Sequence, residues 1–366
     1  MSHSLKLVGW LIALLVIPAG LYALYTYIFY DPNPSQLTRD LEQLVDAKVR
    51  GDDAAALAQY QQILSDPTST AEERAIADVY IAGTEFSLSG DMSSRLSDVR
   101  KMKRIVADST LSATVRAAAM SVLGNAYAVS GGDPAVFAEI YKGAPFDSYL
   151  VPDRPQLSAI NLLKESYAMQ PSSFAASKVA ELASGRYFAN PQQDATTTAA
   201  YVALAEEYLN KADIAALSEA QQRPATYASS DRYILYRLSR AITVGRLAIQ
   251  KGEPYKNSYR KEFNNFIALA QSIQSTLAHN VVFNARFQYA RILEADGDTT
   301  AEKTQLDILA RELDRLSNPN TIPFVLSLRN ARAQPTEAMW LSVQRMSSTS
   351  PEFKTAIDKL TAASSS

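Results

Sequence analysis

The sequence has no cysteine. That absence removes disulfides, thiolate nucleophiles and zinc–thiolate sites together, and a cysteine-free chain fits either side of a membrane. Histidine is almost as scarce. Only His3 and His279 occur, far apart in the chain, which argues against a histidine metal site and against a Ser-His-Asp triad. Neither charge sign dominates: the net charge of −2 lacks the basic field of a nucleic-acid binder. Glycine is sparse, at 13 of 366 residues, and none of it falls in a Walker, G-x-G-x-x-G or G-x-S-x-G pattern. The residues therefore name no catalytic set, cofactor site, metal site or small-molecule substrate.

What is present is apolar and helix-prone. Apolar residues make up 47% of the chain and charged ones 20%, ample for a sizeable core. Alanine, leucine and glutamine abound and strictly alternating β-branched runs are few, so an all-α fold is expected. Leu7–Tyr30 (LVGWLIALLVIPAGLYALYTYIFY) is an uncharged run of 24 residues. As a helix it would extend about 36 Å, enough for a hydrocarbon core of about 30 Å. Trp10 near one end and Tyr25, Tyr27 and Tyr30 near the other suit interfacial belts, and Pro18 would bend the span without breaking it. The alternative is a cleaved signal peptide, but the run exceeds the usual apolar stretch of about 7–15 residues and no clean small-x-small site follows. Lys6 precedes the span and Asp31 follows it, which places residues 1–6 in the cytoplasm and the bulk of the chain outside.

After a short linker at 31–36, proline punctuates rather than interrupts. Pro67, Pro134, Pro171, Pro191, Pro254, Pro319, Pro335 and Pro351 all stand where a helix would begin or end. Asp133-Pro134 and Ser350-Pro351 read as N-cap plus first-turn proline, and Thr70/Glu73 and Thr299/Glu302 have capping-box spacing. Between them the apolar period is helical, as in Leu306, Leu309, Ala310, Leu313 and Leu316. Aligning the turns exposes a repeat. Gly51, Gly90, Gly131, Ala212, Gly252 and Gly297 follow one another in steps of 39, 41, 81, 40 and 45 residues. The double step predicts one more turn near Gln170-Pro171-Ser172. Seven positions before five of these turns stands a small residue, Gly83, Gly124, Ala205, Gly245 or Ala290, which would let the next helix approach closely. The glycine pair Gly131-Gly132 is thus a helix C-cap followed by the next helix's start, not a phosphate cradle.

The register Leu123-Gly124-x-x-Tyr127-x-x-x-Gly131, with Leu204-Ala205-x-x-Tyr208-x-x-x-Ala212, resembles the first helix of a tetratricopeptide repeat. The likeness extends in weakened form from residue 36 to about 318. It departs from that family in its period of about forty and in the second helix, so it is similar to a divergent tetratricopeptide-like or Sel1-like solenoid. The resemblance implies a right-handed α-solenoid of about six to seven helical hairpins over 37–318, with capping helices at 319–363 and a frayed tail at 364–366. It also implies a peptide-binding groove on the first helices. The positions six before each turn are Thr84, Asn125, Glu206, Arg246 and Arg291, and in any helical bundle such places would also be polar through exposure alone.

Other candidates carry two readings each. The proline-rich stretch 143–155 offers Phe146, Tyr149 and Leu150 to a partner, or clips its aromatic rings onto neighbouring helices. The basic cluster Arg95, Arg100, Lys101, Lys103 and Arg104 meets anionic lipid or an acidic partner, or is a solvated face. Glu294–Gln305 has a faint calcium-loop spacing but lacks the turn glycine and the final glutamate, so it reads as a helix–turn–helix. The leading expectation is a single-pass, membrane-anchored scaffold that binds a protein partner and meets the bilayer through 7–30. The alternatives are a structural subunit of a larger envelope complex and an enzyme with an unrecognised site.

Overall fold

The computed structural model describes residues 53–362, apart from 89–91, 130–133, 153, 190–194, 223–230, 274–275, 318, 320–321 and 334–337. These residues belong to one compact unit, Val45–Ser366. Among the described residues the fold is all-α, with fifteen α-helices and no strand. In chain order they are α1 (Asp53–Ser65), α2 (Ala71–Leu88), α3 (Met92–Ala107), α4 (Ala113–Val129) and α5 (Pro134–Ile140). Then come α6 (Pro155–Met169), α7 (Ser173–Ala189), α8 (Ala195–Gln222), α9 (Asp231–Lys251) and α10 (Tyr259–Ser272). The series ends with α11 (Thr276–Asp296), α12 (Thr299–Asp314), α13 (Pro323–Ala333), α14 (Ala338–Thr349) and α15 (Pro351–Ala362). Most of the packing joins a helix to the next or to the next but one, with α12 against α15 as the main longer step. Thus α2 meets α4 and α4 meets α6, while α7, α9, α11 and α13 form a second series. This pattern is compatible with a helical-repeat fold. None of the described helices is long and apolar enough to cross a membrane, and the run Leu7–Tyr30 lies outside the described residues.

Local chemistry explains the helix ends. Thr70 and Glu73 form the expected capping box: Glu73 accepts from the Thr70 backbone N–H at 2.7 Å, and the Thr70 hydroxyl accepts from the Glu73 N–H at 3.2 Å. Just before it, Asp66 accepts from the Thr68 N–H and hydroxyl. The same device recurs about forty residues later, where Asp108 accepts from the Thr110 N–H and hydroxyl ahead of α4. Those hydrogen bonds hold both carboxyls below their ordinary range. Ser350 caps α15 as its sequence predicts, its hydroxyl accepting from the Phe353 N–H at 3.0 Å. At α12 the cap falls one residue earlier than expected. Asp298, not Thr299, accepts from the Ala301 N–H at 3.0 Å, and Glu302 is buried instead of reaching back.

The turns divide in the same way. Gly252 and Gly297 have φ of 76° and 78°, the left-handed conformation that ends a helix and that glycine adopts without strain. The break predicted near Gln170 lies between α6 and α7. The one predicted at Ala212 does not exist: α8 runs through it for 28 residues, with Ala212 fully buried. Lys-Ala-Asp-Ile holds no residue that stops a helix, and alanine favours one. The turns at Gly51, Gly90 and Gly131 lie outside the described residues.

Close approach is where the small residues matter. A methyl group placed on Gly124 of α4 would lie 2.7 Å from Leu163 Cγ on α6. One on Gly245 of α9 would lie 2.6 Å from Ile292 Cδ1 on α11 and 3.0 Å from Phe263 Cε2 on α10. Both glycines let helices approach more closely than any side chain would permit. Gly83 is looser, with its nearest neighbour Val122 at 3.7 Å. Around these joints the apolar side chains gather into three clusters, centred on α2–α6, on α6–α11 and on α11–α15.

Candidate functional site

The five expected groove positions do not behave alike. Thr84 lies in α2, and its side chain is outside the described set. Asn125 is half-buried on α4. Glu206 on α8 accepts from the Lys251 amine at 2.5 Å and the Tyr255 hydroxyl at 2.9 Å. That bond, after burial, pushes the Tyr255 phenol up to about 12. Only Arg246 and Arg291 come together, both directed at the Gln288 side-chain oxygen at 3.4 Å. Arg246 is a buried residue, only 8% exposed. It donates to the Glu181 carbonyl on α7 at 2.9 Å, and its guanidinium occupies the space a side chain at Gly185 would fill. It therefore fastens α7, α9 and α11 to one another. Arg291 is held by burial, and by Arg246 and Arg345 nearby, at a pKa of about 10, below the usual guanidinium range yet still charged at neutral pH.

The proline stretch takes its clip form at Phe146. A 3-10 turn at Phe146–Tyr149 buries that ring to 2% exposure in the α2–α6 cluster. Tyr149 packs partly against the same cluster, and Leu150 alone stays exposed, at 37%. Ser158 anchors the far side by accepting from the Val151 N–H at 2.8 Å. The faint calcium loop is also committed internally: Asp296 takes Lys256, Arg260 and the Tyr259 hydroxyl, and Asp298 takes Arg260 and its own helix. Asp213 on α8 likewise accepts a bidentate pair from Arg240 on α9, at 2.9 and 3.2 Å, while Glu262 on α10 pairs with Arg240 at 2.6 Å. His279 falls in the first turns of α11. Among the described residues no three His, Asp or Glu side chains assemble as a metal-ligand set.

Among the described residues, an open surface cavity is lined by charged side chains. About 430 Å³ in volume, it lies between α3 and α5 and is lined by Ser97, Arg100, Lys103, Arg104 and Glu139. The α3 residues share a face because they are three or four positions apart. Arg100 donates through Nε to Glu139 at 3.0 Å. Lys103 reaches across to the end of α5, donating to the Glu139 and Lys142 carbonyls at 2.8 and 2.6 Å, with its amine 5.0 Å from the Phe146 ring centre. Burial lowers the Lys103 pKa against the pull of Glu139. Arg104 is exposed and makes no ion pair among the described residues. The sequence puts Arg100 and Arg104 on one face with Lys101 and Lys103 pointing elsewhere. Lys101 does turn away to Asp78, at 3.1 Å, on α2, but Lys103 joins the two arginines because it reaches across to the end of α5. Glu139, which lines the cavity, and Phe146, which lies against the Lys103 amine, are some forty residues downstream, where no local pattern ties them to α3.

A second regularity escaped the sequence altogether. Serines at helix starts are gripped by an acid from another helix: the caps Ser112 and Ser350 by Glu72 and Asp307, and Ser173, the first residue of α7, by Glu219. Each pair joins residues forty or more apart and carries no local signature. No family model, curated protein or solved structure matches this chain.

Proposed function

We propose that this protein is a membrane-anchored scaffold, a tetratricopeptide-like right-handed α-solenoid that binds another protein and holds it at the bilayer. In this reading Leu7–Tyr30 is the span and the helical body lies outside the cytoplasm. The supporting observation is the packing of each helix on its neighbours in sequence, α2–α4–α6 and then α7–α9–α11–α13. Helices that bury their faces mainly against sequence neighbours leave continuous flanks for a long, shallow contact. The polar chemistry agrees, because Arg246, Arg240, Asp213 and Asp296 join helices to one another. The chain is read as a binder, not a catalyst.

A second reading, a structural subunit of a larger envelope assembly, draws on Ile214 and Leu217. They are 62% and 61% exposed and stand three residues apart on α8, so they form one apolar spot of the kind that meets another subunit. Photo-crosslinking separates the two. With a benzophenone amino acid at Asn125 or at Ile214 of the full chain in native membranes, the groove reading predicts a protein adduct at 125 and none at 214. The reverse pattern selects the assembly reading, and no protein adduct at either position removes both. Protease treatment of intact cells should degrade the helical body; a protected body would overturn the orientation.

A further inference from the structure

We propose that the cavity between α3 and α5 binds a phosphate dianion, with Arg100 and Arg104 as its direct donors. Charge balance comes first. Three cations, Arg100, Lys103 and Arg104, face a single carboxylate, Glu139, so the lining carries a surplus of two positive charges. A dianion neutralises that surplus, whereas a lone carboxylate leaves half of it. Donor geometry comes second. The bond from Arg100 to Glu139 uses Nε alone, so four of the five N–H donors of that guanidinium are not consumed by it. Arg104, one helical turn further along the same face, offers a second planar fork, and Ser97 a hydroxyl. Two forks and a hydroxyl suit the three acceptor oxygens of a phosphate group.

Preorganisation comes third. Glu139 fixes Arg100, and two carbonyls with the Phe146 ring fix Lys103. Two of the three ammonium protons of Lys103 serve those carbonyls, so its charge is held in the cavity lining beside the two guanidinium groups. An anion there also offsets the burial that weakens the lysine's charge. The site does not depend on the protein-binding reading, because none of its residues belongs to the groove positions. A phosphate group could reach it free in solution or on a lipid headgroup, and the probes distinguish these sources.

The test uses the full chain, purified in a neutral detergent and titrated calorimetrically at pH 8 with inorganic phosphate and, separately, with dihexanoylphosphatidic acid below its micellar concentration. Saturable binding is expected, at least tenfold weaker in Arg104→Gln and in Arg100→Gln, and unchanged in Lys354→Gln, whose exposed amine on α15 pairs only with Asp358. Affinity should also fall at pH 5, where the phosphate group carries one charge, the second pKa being about 6 for a phosphate monoester and higher for inorganic phosphate. Equal binding of both probes supports a site for phosphate itself; binding of the lipid alone supports the same site with a headgroup as its source. No saturable binding of either probe overturns the proposal. So does binding that Arg104→Gln leaves intact, since Arg104 is exposed and its loss should not disturb folding.

Discussion

The joints at Gly124 and Gly245 use one device in two settings. In each, a glycine lets a helix close onto the next but one: α4 onto Leu163 of α6, and α9 onto Ile292 of α11. Around Gly124 the buried polar groups are neutral. The Ser121 and Ser166 hydroxyls lie 2.6 Å apart, and Ser166 donates to the Ala117 carbonyl at 2.8 Å. Around Gly245 they are ionic. Arg246 crosses to α7 and α11, and Glu181 sits between Lys178, at 2.7 Å, and the Ser239 hydroxyl, at 2.6 Å. Backbone approach and polar content are therefore separate choices. The first joint links two helices and should be indifferent to pH; the second links three and should not be.

Breaking the approach has the largest expected effect. Gly245→Val meets Ile292 and Phe263 together and should cost about 3 kcal/mol, whereas Gly124→Val meets one side chain, the buried Leu163, and should cost about 2 kcal/mol. Denaturant titration of the full chain in detergent would rank them; equal or inverted costs would break the comparison. Arg246→Ala comes next, at about 2 kcal/mol, because it removes a charged donor to a buried carbonyl and leaves a gap over Gly185.

The pH contrast sharpens the comparison further. Burial opposes the Glu181 charge, but Lys178 and Arg246 outweigh it and hold the carboxyl below its ordinary range. Its contribution to stability is thus present above the unfolded carboxylate pKa and is lost as pH falls through the folded one. Between about pH 6 and about pH 3 the wild type should lose more stability than Glu181→Gln, and parallel losses would refute that role. Ser166→Ala in the neutral joint is the smallest change, about 1 kcal/mol and the same at every pH.

Legibility in the sequence followed the range of the physics involved. Gly252 and Gly297 were readable because a left-handed residue ending a helix is a local demand. Thr70/Glu73 and Ser350 were readable because caps act over three residues. Gly124 and Gly245 stood out by their spacing. Ala212 misled because a repeat register was extended across a segment with no helix-stopping residue. Asp298 displaced Thr299 as a cap because a carboxylate one residue earlier does the same task. Arg246 was expected at a polar surface, but the space for its guanidinium is provided by Gly185, sixty residues away in another helix. The serine–acid grips and the Glu139 wall of the basic cavity were hidden for the same reason.

Nearest-neighbour packing is the claim on which the scaffold reading stands, and amide hydrogen exchange on Gly245→Val tests it most directly. If stability is the sum of helices and their contacts with sequence neighbours, protection should fall in α7 and α9–α11 and stay near wild type in α2–α4. A uniform loss of protection from α2 to α15 would mean a single cooperative core and would contradict the account.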